Sequence, residues 1–190
     1  MRAALTLALG GVLLAGAALA DGDPAAGQKV AGMCRTCHGL DGFARIPIAP
    51  HIGGEPAAYL ERQLQAFRDG SREHEMMSVV AAGLSDTQIS DVAAWYAAHT
   101  AQVSAVADPD TAPDLCVTCH GADGLAVMED APHLAGETNI YLETQLKAFR
   151  SGKRTHDIMS GIAAGMSDEE IRAVSNYYAG LDLTIAPPAQ

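Results

Sequence analysis

Residues 34–42 read CRTCHGLDG, and residues 116–124 read CVTCHGADG. The two stretches stand 82 positions apart, and the same offset aligns everything from Cys34 to His99 with Cys116 to Leu181 without a gap. Of those 66 aligned positions 35 are identical, which makes the chain a tandem duplication rather than a chance likeness. The matched blocks include APHIGGE with APHLAGE, YLERQLQAFRDG with YLETQLKAFRSG, HEMMS with HDIMS and AAGLSD with AAGMSD. Two homologous modules of roughly 80 residues follow, each small enough to bury only a modest core and to need something more to hold it.

The cysteines carry the chemistry. Each module holds a C-x-x-C-H: Cys34, Cys37 and His38 in the first, Cys116, Cys119 and His120 in the second. One helical turn brings both sulfurs and the imidazole to one side, where two thiols can add to the vinyl groups of a porphyrin and the histidine can reach its iron. A four-cysteine zinc site needs its two pairs about 15–20 residues apart and leaves the trailing histidines unexplained. A thioredoxin-like pair needs a βαβ setting, and no strand pattern is read here. The pattern therefore points to two haem c groups, one per module.

The surrounding periodicity is helical. Asp23-Pro24 caps a helix reaching about Met33, and Glu55-Pro56 opens an amphipathic segment in which Tyr59, Leu60, Gln63, Leu64 and Phe67 recur at helical spacing until Gly70. Its copy runs from Tyr141 to Phe149 and stops at Gly152. Ser85-x-x-Gln88 and Ser167-x-x-Glu170 are capping boxes for terminal helices that end near His99 and Gly180. Residues 100–114, with Pro109 and Pro113, read as a linker. The expected fold is all-α, in two units at 21–99 and 115–190.

Composition fits an exported soluble protein. The chain of 190 residues is 48% hydrophobic and 18% charged, with a net charge of -11 that excludes the basic stripe a nucleic-acid partner requires. Residues 1–20 read MRAALTLALGGVLLAGAALA, with a positive start, an apolar centre and a small-residue end, the pattern of a secretory signal peptide cleaved after Ala20. A retained membrane anchor is the alternative reading of that stretch. Loss of Arg2 leaves 11 basic against 23 acidic residues, a charge of -12. Such a surface suits basic partners. In an oxidising compartment four cysteines would ordinarily pair as disulfides, but their spacing argues for the haem motif instead.

The second axial ligand decides between a carrier and a catalytic haem, and it should occur at matched positions. Met77 and Met159 are the only paired methionines. Two histidine pairs, His51 with His133 and His74 with His156, keep bis-histidine ligation open. His99 pairs with Leu181 and reads as a surface residue. A thioether ligand raises the reduction potential relative to bis-histidine and suits a carrier delivering to a terminal acceptor.

With CxxCHGxxG, the P-x-hydrophobic-[GA]-G-E loop, Y-L-x-x-Q-L, F-R-x-G-x-R and a methionine ahead of the [LM]-S-D helix start, the chain resembles a dihaem class I cytochrome c of the cytochrome c4 family. The resemblance implies two small cytochrome domains. Cys34, Cys37, His38 and Met77 would hold the first haem, and Cys116, Cys119, His120 and Met159 the second. It implies an electron carrier without substrate chemistry, working between donor and acceptor redox proteins such as a bc1-type complex or a terminal oxidase. It also implies that Pro50 and Pro132 support the haem on the proximal side.

Two departures stand out. The second module has little room for a helix ahead of its CxxCH, and His51 and His133 occupy a loop where the family pattern does not lead one to expect histidine. Arg68, Arg72, Arg150 and Arg154 read as partners of haem propionates or of the opposite unit's acidic surface, or as solvated charges at helix ends. The competing function is the cytochrome subunit of a flavocytochrome c sulfide dehydrogenase or a related sulfur-oxidising complex. A peroxidase fits less well, because the chain is short and a paired methionine would block peroxide.

Overall fold

The computed structural model describes residues 22–104 and 111–188. The signal-peptide reading at 1–20 and Pro109 of the linker lie outside the described residues. Among those described, no helix is long and apolar enough to cross a membrane.

The first half is built from α1 (Pro24–Ala31), α2 (Arg35–His38), α3 (Ala57–Asp69), α4 (Met77–Ala82) and α5 (Asp86–Ala97). Asp23 caps α1, its side chain accepting from Ala25 N–H at 2.8 Å. The helix ends at Ala31 rather than Met33, because Gly32, Met33 and Cys34 bond back three residues instead of four and tighten the chain toward α2. α1 lies across α5, where the Asp23 N–H donates to Asp91. Their shared core gathers Ala31, Leu60, Val92, Ala93 and Tyr96, with Cys34 packed against it.

After strand β1 (Thr100–Val103), the second half repeats the plan in α6 (Asp114–His120), α7 (Asn139–Ser151), α8 (Met159–Ala164) and α9 (Asp168–Ala179). Thr138 caps α7, so that helix begins two residues ahead of the Tyr141 expected from periodicity. Both serine capping boxes are formed. Among the described residues no α-helix stands between β1 and α6, which starts directly from its cap at Pro113 and carries both cysteines.

The expectation of no strands is corrected. β1 pairs antiparallel with β2 (Leu183–Ala186), Thr100 opposite Ala186 and Val103 opposite Leu183. Four-residue strands give too short an alternation to register as a period of two, and their pairing partner is distant in sequence. In the second half Ala135, Leu142, Tyr178, Leu181 and Leu183 form the core, with Ala101, Val103 and Ile185 packed on it. The ribbon thus joins the end of one half to the tail of the other.

Candidate functional site

Each CxxCH sits on a short helix that ends at the glycine after its histidine. The last helix of each half fixes that segment. Consecutive aromatics on α5 hold consecutive carbonyls: Tyr96 OH donates to Gly39 O at 3.1 Å and Trp95 Nε1 to Leu40 O at 3.0 Å. On α9 Tyr178 OH donates to Gly121 O at 3.2 Å and Tyr177 OH to Ala122 O at 2.7 Å. These four aromatics are functional supports that the motif reading passed over. Their equal offset of 82 was a usable signal for Tyr96 and Tyr178, which are identical, but not for Trp95 and Tyr177, which are not.

All four cysteines are unpaired thiols, partly accessible. Burial pushes the Cys34 and Cys116 thiols up, keeping them neutral.

The histidines divide by tautomer. A carbonyl oxygen only accepts, so a ring nitrogen bonded to one carries the proton. His38 Nδ1 donates to Pro50 O at 2.9 Å, and His120 Nδ1 to Pro132 O at 2.8 Å. Each therefore keeps an unprotonated Nε2 lone pair, the form a metal-ligating histidine takes when a backbone carbonyl orients it. Burial lowers the pKa of both rings and favours that neutral form. Pro50 and Pro132 thus supply the oriented carbonyl behind each ring.

His51 and His133 have the opposite arrangement. Nδ1 of His51 accepts from Ala44 N–H at 2.9 Å, and its Nε2 donates to Gly136 O of the other half at 3.0 Å. His133 matches it, with Nδ1 accepting from Ala126 N–H at 2.8 Å and Nε2 donating to Gly54 O at 2.9 Å. Both nitrogens of both rings are engaged, Nδ1 within its own half and Nε2 across the joint. His74 Nδ1 accepts from the N–H groups of Met76 and Met77 at 3.3 and 3.4 Å, and His156 Nδ1 from those of Ile158 and Met159 at 3.3 Å each. Their remaining Nε2 then bears the proton and has no lone pair to give. They hold the turns from which Met77 and Met159 open α4 and α8. His99, read as a surface residue, is instead only 6% exposed, packed edge-on against Trp95 with Nδ1 on the Trp95 carbonyl.

The arginines also separate. Arg68 pairs with Asp86 and Arg150 with Asp168, each at 2.6 Å, and each reaches a carbonyl, Leu84 O or Met166 O, within its own half. For these two, contact with the opposite unit's acidic surface is corrected to a local tie between α3 and α5 and between α7 and α9. Arg72 and Arg154 cross the joint: Arg72 bonds Gln63 at 2.6 Å and Gln145 at 2.9 Å, and Arg154 bonds Gln145 at 2.7 Å and Gln63 at 3.0 Å. Each guanidinium also lies over a phenylalanine, Phe67 or Phe149. Glu55 and Glu137 complete the joint, accepting from the backbone N–H of His133 and His51 respectively.

Per half, then, two unpaired thiols, one imidazole with a free Nε2 lone pair and one methionine on a held turn form a donor set that fits a covalently attached haem. The described residues contain no cluster of three or more His, Cys, Asp or Glu suited to a bare metal ion.

Comparison with known proteins agrees. The family profile for cytochrome c matches residues 111–182. Cytochrome c4 of Pseudomonas aeruginosa is 36% identical, the match covering 93% of this chain and 96% of that protein. A thiosulfate dehydrogenase electron acceptor of Stutzerimonas stutzeri is also 36% identical, over 78% of each. The crystal structure of reduced recombinant cytochrome c4 from Pseudomonas stutzeri superposes with a TM-score of 0.73 at 33% identity, covering 85% of this chain and all of that one. The chain belongs to the cytochrome c4 family, electron carriers built of two class I cytochrome domains with two covalently bound haem c groups.

Proposed function

We propose that this protein is a periplasmic shuttle that moves single electrons between redox partners through two haems, each liganded by one histidine and one methionine. Cys34 and Cys37 would hold the first haem by thioether bonds, with His38 proximal and Met77 distal. Cys116, Cys119, His120 and Met159 would do the same for the second. Bound there, the haem iron supplies a reversible one-electron couple; the chain fixes its ligands, shields it and sets its potential. Residues 21–99 and 115–190 would form the two domains, with 1–20 removed after export.

The observation that carries this reading is the tautomer pattern. Of the three matched histidine pairs, only His38 and His120 have an Nε2 lone pair to donate, because their Nδ1 atoms donate to Pro50 and Pro132. The other two pairs use their Nδ1 lone pairs on backbone N–H groups. That leaves Met77 and Met159 as the matched donors for the opposite face. Two saturated irons suit electron transfer without substrate binding.

Replacement of one methionine at a time tests it. Met77→Ala and Met159→Ala should each halve the weak thioether-to-iron absorption at the red edge of the oxidised spectrum. Each should also lower one of two midpoint potentials. Retention of the full band in either variant would refute that methionine as ligand.

A second reading concerns the donor. Two relatives carry the name thiosulfate dehydrogenase electron acceptor, which favours a sulfur-compound dehydrogenase as the source of electrons. The acidic net charge suits a donor with a basic docking face. Rapid reduction of the oxidised protein by such an enzyme plus its substrate, slowed by added salt, is the expected result.

A further inference from the structure

The two glutamates at the joint have a position that the ligand set does not explain. Glu137 accepts from the His51 N–H at 2.8 Å. That N–H belongs to the same peptide group as the Pro50 carbonyl, which accepts from His38 Nδ1 at 2.9 Å. One amide therefore links the carboxyl of the second half to the proximal histidine of the first. The mirror arrangement holds as well. Glu55 accepts from the His133 N–H at 3.0 Å, and the Pro132 carbonyl of that peptide group accepts from His120 Nδ1 at 2.8 Å. The wiring is crossed: each half carries the carboxyl that addresses the other half's ligand.

We propose that Glu137 sets the reduction potential of the haem held at Cys34 and Cys37, and Glu55 that of the haem held at Cys116 and Cys119, each across the joint and through a single peptide group. The inference rests on the proximal-ligand reading of His38 and His120.

Hydrogen bonds in series through an amide polarise one another. A carboxylate on the His51 N–H makes the Pro50 carbonyl a stronger acceptor. The stronger acceptor draws the Nδ1 proton and makes His38 a better donor through Nε2. A better donor favours oxidised iron and lowers the potential; a neutral carboxylic acid relaxes the chain and raises it. Glu55 and Glu137 are 4% and 3% exposed, so water screens this effect poorly. One oxygen of Glu137, Oε2, is buried with no hydrogen-bond partner, so ionisation there is unrelieved by solvent.

Burial pushes Glu55 up to about 8, and Glu137 well above the ordinary carboxylate range with Glu55 adding to the rise. The charged and titratable groups facing the pair are His51 and His133, bonded on both ring nitrogens, and the buried Tyr59, which senses Glu55, Tyr141, Arg72 and Arg154. The two arginines bridge Gln63 and Gln145 and form no bond to either glutamate.

The test is a redox titration of the holoprotein from neutral to alkaline pH, with each haem followed separately by its paramagnetically shifted methyl signals in proton NMR. In the wild type both midpoints should fall as pH rises. Glu137→Gln should flatten the curve of the Cys34/Cys37 haem and leave the other unchanged, Glu55→Gln should do the converse, and Glu137→Asp should keep the slope. The His51 amide proton should titrate in the wild type and not in Glu137→Gln. Glutamine variants whose midpoints still fall with pH as in the wild type, or equal shifts at both haems, would overturn the inference. The shifted ring-proton signals of His38 and His120 report ligation independently. Their presence with a wild-type pH slope in the glutamine variants defeats this inference alone, while their absence defeats both it and the ligand reading.

Discussion

Replacing His51 by alanine separates a structural bolt from an iron ligand. The side chain makes two bonds, accepting from Ala44 N–H at 2.9 Å and donating to Gly136 O across the joint at 3.0 Å, and its ring packs on Phe43 with centroids 4.2 Å apart. Each bond orphaned in a part-buried setting costs about 1 kcal/mol, at the low end for buried groups because water reaches the gap. The aromatic contact adds about 0.5–1 kcal/mol. His51→Ala should therefore lose about 2.5–3 kcal/mol, roughly a hundredfold in the folding constant. His133→Ala breaks the equivalent bonds at 2.8 and 2.9 Å but has Leu125 where Phe43 stands, so it should lose about 2 kcal/mol. The assay is denaturant unfolding of the oxidised holoprotein followed by far-ultraviolet circular dichroism, alongside its visible spectrum. Both variants should keep the complete axial-ligand spectrum. A stability loss below about 0.5 kcal/mol would refute the bolt, and a changed axial spectrum would make His51 a ligand after all.

Three further outcomes follow from the same geometry. Folded Glu55 holds a proton up to about pH 8 that the unfolded chain has released, so its contribution is complete below the unfolded carboxylate pKa and declines as pH rises through the folded value. His51 and His133, held below their ordinary pKa by burial, act in the opposite sense and lose stability only as pH falls below about 6.5. Between about pH 6.5 and 8, then, wild-type unfolding free energy should fall at up to about 1.4 kcal/mol per pH unit per buried glutamate, and Glu55→Gln should flatten that slope in parallel denaturation series. Gly54 and Gly70 share a positive φ, 84° and 82°, but a Cβ on Gly54 would meet the Ala101 backbone at 2.7 Å, whereas one on Gly70 meets nothing within 4 Å. Gly70→Ala should cost about 1 kcal/mol and Gly54→Ala about 2–4 kcal/mol by thermal unfolding, because only the latter pushes β1 away. Tyr178→Phe removes the hydroxyl that holds Gly121 O and should cost about 1–2 kcal/mol, with a lower midpoint of thermal unfolding.

The duplication, the haem motifs and the capped helices were legible because each is a local signal. Ser85 with Gln88 and Ser167 with Glu170 form the boxes their spacing foretold. α4 and α8 escaped notice because six-residue helices span less than two turns, too little to show a repeating apolar face, although the methionines that open them stood out by pairing. The ribbon escaped because Thr100–Val103 pairs with Leu183–Ala186, far away in sequence, and each strand is only four residues long. The role of His51 and His133 was illegible for a sharper reason: a histidine's tautomer is set by partners 85 and 79 residues away, Gly136 and Gly54. His99 misled because nothing in sequence tells an exposed helix-end histidine from one folded under a tryptophan.

The proposed function requires two haems per chain, each with a thioether on iron. A pyridine haemochrome assay on purified protein, with the oxidised spectrum taken to the red edge, tests it directly. Two c-type haems per polypeptide, with the weak thioether-to-iron band present at full strength for both and bleached on reduction, is the expected result. One haem per chain, or two haems without that band, would contradict it.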